Sequence, residues 1–171
     1  MLNFRLLFNI ILIGFLVFIQ VFLFDRISFN QIATPYVYIL FILLYPTNRN
    51  PYIFLILSFL LGWGVDFFED TGGIHAFACI SIAMVKNKLV RLLSGTKYFE
   101  IEEFSFGEFS AAQWALYALI LVLTHHFILF FIESLSFSNF KDILFRTIYC
   151  SAFTLIFVYS YLILFSKKAE R

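Results

Sequence analysis

The residues of this chain best suited to chemistry gather in one stretch, Gly62–His75, "GWGVDFFEDTGGIH". It sets Asp66, Glu69, Asp70 and His75 around the tandem glycines Gly72 and Gly73. Carboxylates beside an imidazole suit proton transfer, ion binding, or a hydrogen-bonded tie between two helices. On a helix, Ser58, Gly62 and Asp66 share one face because they are four residues apart. Small residues on such a face let a second helix approach closely. Gly72 and Gly73 permit a tight turn at positive φ. His75 then opens the next helix, with Cys79 on the same face, and an anion such as Asp66 or Asp70 near that helix start is favourable. The stretch therefore reads as a hairpin tied by Asp and His. A ligand, ion or catalytic site is the reading that stands beside it.

Other polar residues offer less. His125 and His126 are adjacent, so they point about 100° apart on a helix and do not share one metal easily. A place in a polar core or at an interface suits them better. Thr147, Ser151 and Thr154 form a stripe suited to interhelical hydrogen bonds. Cys79 and Cys150 lack metal-ligand spacing and read as small apolar packers. The chain has no H-E-x-x-H, G-x-S-x-G, P-loop or G-x-G-x-x-G sequence, and Asp66 has no second carboxylate at membrane depth to form a dyad. No catalytic residue, cofactor or metal is expected. A proton-coupled carrier using Asp66 with His75 or His125 lacks a visible path.

The elements that position these residues follow from composition. Of 171 residues, 62% are hydrophobic and 13% charged, about half the charged share of a soluble domain. Such a chain cannot cover itself with polar surface, so lipid is the expected solvent. A net charge of +1 gives no field for nucleic acid. The predicted architecture is an all-α integral membrane protein with one domain over 1–171 and about six transmembrane helices. The spans are expected at about 6–24, 30–46, 51–68, 73–92, 111–132 and 143–165. Pro35 opens or kinks the second, and Pro51 suits the first turn of the third. Lys86, Lys88 and Arg91 are expected to snorkel to the interface at the end of the fourth. With both termini cytoplasmic, only Arg26, Lys141 and Arg146 among the basic residues lie outside. The Gly62–His75 turn is then at the outer face. The polar stretch 94–110 is cytoplasmic, and reads as a solvated loop, an amphipathic segment or a docking site.

A short basic N-terminus, a long first span, the Pro-led "ATPYVYILFILLYP", and "ILSFLLGWGVDFF" running into "EDTGGIHAFACISIAMVKNKL" together resemble the MreD family of bacterial rod shape-determining proteins. The family's G-x-x-x-D, turn, Gly and His pattern falls here on Gly62, Asp66, Gly73 and His75, with Pro35 heading the second span. This chain departs from the pattern in its heavy Phe content and the acidic run at 100–103. The resemblance implies a non-enzymatic component of the cell-elongation complex in the bacterial cytoplasmic (inner) membrane. It would support lateral peptidoglycan synthesis and cell shape with MreC, MreB, RodA and a class B penicillin-binding transpeptidase. It also implies a six-helix bundle similar to the substrate-binding subunits of energy-coupling-factor vitamin transporters. Such a subunit is the alternative reading, with Asp66, His75, Trp63 and Trp114 as the residues for an enclosed pocket.

Overall fold

The computed structural model describes residues 4–27, 34–95, 109–135 and 139–165. Among them the fold is all helical, without strands. Helix α1 (Phe4–Ile19) continues as one π-helical turn, Gln20–Phe24. Helix α2 is short (Ile39–Leu44). Helix α3 (Pro51–Glu69) starts where Asn50 Oδ1 accepts the Tyr52 and Ile53 amides and Pro51 supplies a first turn needing no N–H. Helix α4 (Ile74–Ser94) ends at Gly95, at φ 58°. Helix α5 (Ala111–Ser134) begins in a capping box between Ser110 and Gln113. Helix α6 is Phe140–Phe165.

In space α1 lies on α3, α3 on α4, α4 on α5 and α5 on α6, while α2 packs against α4 and α5. Tyr38, Ile39, Ile42 and Leu43 are fully buried, so the second segment runs through the centre of the bundle. Gln113 Nε2 donates to the Leu93 carbonyl at 2.8 Å, joining the start of α5 to the end of α4. The Arg146–Glu133 ion pair at 2.9 Å ties α6 to the end of α5.

Among the described residues four stretches are long and apolar enough to cross a membrane: Phe4–Phe24, Pro51–Glu69, Ala111–Ser134 and Phe140–Leu164. This is a multi-pass pattern, with fewer regular spans than the expected six. Helix α4 has the length, 21 residues, but its second half carries Lys86, Lys88 and Arg91. The expected span at 30–46 is helical only over Ile39–Leu44 among its described residues, about 9 Å of rise. Pro35 explains the shortfall, since it lacks an N–H and disfavours helix at Thr34. Most of the polar stretch 94–110, from 96 to 108, and the basic tail at 166–171 lie outside the described residues.

The surface pattern is inverted relative to a protein in water. Phe4, Ile11, Phe15, Trp63, Phe67 and Leu92 are exposed, while Gln20, Asp66, His75, Lys86, His125 and His126 are buried. Lys86 corrects one expectation. Rather than reaching the interface, its side chain is fully buried and donates from Nζ to the Tyr45 carbonyl at the end of α2. Nζ also sits 4.7 Å from the Phe54 ring centroid, and Phe54 stacks on Tyr45 at 4.6 Å. A carbonyl at a helix C-terminus and an aromatic face both favour a cation, so the interior takes what the lipid interface was expected to hold. Lys88 and Arg91 do stay exposed.

Candidate functional site

The α3–α4 hairpin is closed by its own polar atoms. Helix α3 ends with Asp70 in the left-handed conformation (φ 54°), followed by Thr71, Gly72 (φ 69°) and Gly73 (φ 100°). Asp66, one turn earlier, is 5% exposed and faces the start of α4. Its Oδ1 accepts the His75 amide at 3.0 Å and the Thr71 hydroxyl, and its Oδ2 accepts the Ala76 amide at 2.8 Å. The first amides of a helix have no partner within the helix. Gly73, the cap residue, has no side chain to offer them, so the carboxylate of the preceding helix takes that role. A buried anion at the positive end of a helix is also electrostatically favourable. Gly62 makes the approach possible. A Cβ there would lie 2.5 Å from the Ala76 Cα and from the His75 carbonyl oxygen.

His75 carries the network inward. Its Nε2 is 3.2 Å from Glu69 Oε2, and its Nδ1 is 2.8 Å from the Tyr38 hydroxyl. That hydroxyl is also 3.0 Å from His125 Nε2. Tyr38 has one proton for two imidazoles, so one ring accepts and the other donates. With Glu69 taking the Nε2 proton of His75, Tyr38 donates to His75 Nδ1 and accepts from His125 Nε2. His125 Nδ1, buried and without a partner, is then a bare lone pair rather than a stranded N–H. Every donor in this row points toward Glu69. Replacing Tyr38 by Phe removes the bridge between two buried rings, so Tyr38→Phe is expected to cost about 1–2 kcal/mol. Unfolding in mixed detergent measures it, and an unchanged midpoint would mean that the two imidazoles need no bridge.

The other half of the network holds the second segment. Gln20, fully buried, donates from Nε2 to Asp25 Oδ1 at 2.9 Å and to the Pro35 carbonyl at 3.1 Å, and its Oε1 accepts the Val37 amide at 2.9 Å. The Tyr36 amide donates to Thr154 Oγ1 at 3.0 Å. Thr154 lies 3.3 Å from His126 Nε2, whose Nδ1 donates to the Val122 carbonyl at 2.8 Å. The Thr154 hydroxyl therefore donates to His126. Backbone that Pro35 keeps out of a helix thus finds side-chain partners on the first and last helices, as irregular backbone inside a low-dielectric bundle must. Single π turns such as the one carrying Gln20 are frequent at functional positions.

Gly62, Asp66, Gly73 and His75 meet in the hairpin, and Pro35 enters the same network through its carbonyl. Trp63 and Trp114 do not. Trp63 is half exposed on the outside of α3, and Trp114 packs on Phe109 and Tyr117 at the start of α5, at the other end of α4. The four residues named for an enclosed pocket are therefore not gathered. Both histidines of α5 lie in the polar core, and Cys79 is buried beside it. Gln20, Asp25 and Tyr38 escaped the sequence reading. The available signal was a primary amide inside an apolar helix, which has to find partners. No family model, curated protein or solved structure matches this chain.

Proposed function

We propose that this chain is a non-enzymatic, multi-pass component of a bacterial cell-elongation complex, supporting lateral peptidoglycan synthesis by holding MreC and the associated synthases. Its six predicted segments include the short, buried α2 and the charged α4 as spans in one bundle. The observation that favours a scaffold is the commitment of Asp66. Its carboxylate is fully engaged in joining α3 to α4, and builds a stiff hairpin whose tip, Asp70–Gly72, faces outward. The resemblance on Gly62, Asp66, Gly73, His75 and Pro35 supplies the class of partner. Under this reading Asp66 positions the contact surface, and the tip and the outer faces of α1 and α3 make the contact.

The rival reading, a substrate-binding subunit of an energy-coupling-factor type transporter, needs an enclosed polar pocket. The scatter of Trp63 and Trp114 removes the walls first assigned to it. Affinity purification of the tagged, detergent-solubilised protein, with mass spectrometry of what is retained, separates the two. The expected result is recovery of MreC, RodA or the class B transpeptidase, with a photo-crosslinker at position 70 capturing the same partner. Recovery of ATP-binding-cassette subunits or a vitamin-like small molecule would overturn the proposal.

A further inference from the structure

We propose that Asp25 and Glu69 form a binding site for a single proton, which fastens the end of α1 to the α3–α4 hairpin, with His75 and Tyr38 coupling it to the buried His125. The two carboxyl groups come from separate elements and act on each other directly. Carboxylates only accept, so a hydrogen bond between them requires a proton. Their other oxygens are taken, Asp25 Oδ1 by the Gln20 amide and Glu69 Oε2 by His75 Nε2. The two that remain, Asp25 Oδ2 and Glu69 Oε1, are buried without another donor. Among the described residues the ion pairs are His75–Glu69 and Arg146–Glu133, so no Lys or Arg neutralises Asp25.

The groups around the pair are few. Arg26, exposed, follows Asp25 in the turn after the first helix, Tyr36 faces both carboxylates from the second segment, and Asp66 and Asp70 are chain neighbours of Glu69. His75 comes from α4, while Glu133 of α5 and Cys150 of α6 act on Tyr36 rather than on the pair. Apart from Arg26 and the His75 Nε2–H, none of these favours a second negative charge. Burial, then Glu69, pushes the Asp25 carboxyl from 3.8 up to about 7. Two carboxyl groups that share a proton give it up as a pair. Between 3.8 and about 7 the folded chain binds more protons than the unfolded chain, so stability falls as pH rises through that window. Loss of the proton leaves two adjacent carboxylates, which repel, while Gln20 still holds Asp25 to the Pro35 segment. The inference does not depend on the assembly reading.

The test is thermal unfolding of the full chain in detergent at fixed ionic strength, from pH 5 to 9, for the wild type and Asp25→Asn. The wild-type midpoint should drop by several degrees across neutral pH, and Asp25→Asn, whose amide is a permanent donor to Glu69, should be flat there. Infrared difference spectra give a readout independent of stability. A protonated-carboxyl band should be present at pH 6, disappear by pH 9, and be missing in Asp25→Asn. A wild-type midpoint independent of pH, or a protonated-carboxyl band unchanged in the variant, would overturn the proposal. A midpoint that follows sodium rather than pH would also overturn it, by assigning the pair to a metal cation.

Discussion

Asp66→Ala is expected to lower stability by about 3 kcal/mol or more, the largest effect of any single side-chain truncation in the hairpin. Two α4 amides and the Thr71 hydroxyl lose their acceptor at once. Each buried donor left without a partner costs about 1–3 kcal/mol, and loss of a buried anion at a helix N-terminus adds up to about 2 kcal/mol. These terms overlap, so the expectation stays below their sum. Asp66→Asn keeps one acceptor oxygen but turns an NH2 group toward donors, and should fall between wild type and alanine. Detergent unfolding midpoints rank the three proteins. If alanine matched wild type, water or another residue would have to cap α4, and the rigid hairpin behind the scaffold reading would be lost.

Gly62→Val should be nearly as damaging for a steric reason, at about 2–4 kcal/mol. The atoms that a Cβ would strike, the Ala76 Cα and the His75 carbonyl, are backbone at 2.5 Å, so no rotamer change can clear them. The helices must separate, and Asp66, one turn further along α3, is drawn off the amides that it caps. The two substitutions should therefore be non-additive, since the valine already breaks what the alanine removes. Gly14→Ala is the control. Nothing lies within 4 Å of its Cβ position, and alanine gains up to about 1 kcal/mol of helix propensity. Equal tolerance at both positions would mean that α3 and α4 pack more loosely than described.

The hairpin was legible in the sequence because its signals are local. Pro51 marks the start of α3, Gly72 and Gly73 mark the turn, and the spacing of Ser58, Gly62 and Asp66 marks the face that must turn inward. The inward direction of Asp66 follows from the expense of placing a carboxylate against lipid. The rest of the site depends on residues far apart in the chain. Tyr38 meets His75 across 37 positions and His125 across 87, and nothing in the text around Tyr38 distinguishes it from the chain's other tyrosines. Gln20 escaped notice because its partners lie around Pro35 and beyond its own helix. Lys86 was misplaced because snorkelling is the default for a lysine near a helix end, and the alternative needs a helix terminus and an aromatic pair supplied by other elements. Trp63 and Trp114 misled for the opposite reason, since aromatic bulk is everywhere in this chain and points nowhere in particular.

The hydrogen bond from the Tyr36 amide to Thr154 spans 118 positions, and it sets an order on biosynthesis. A ribosome delivers residue 36 to the membrane long before residue 154 exists. Through that interval the segment around Pro35 has Gln20 for some of its backbone groups and nothing for the Tyr36 amide, so it must wait beside water or the insertion machinery. The arrival of α6 closes the chain rather than adding one more helix to a finished bundle. A nascent chain halted before α6 carries an unfinished centre, a feature by which quality control can tell it from the complete protein.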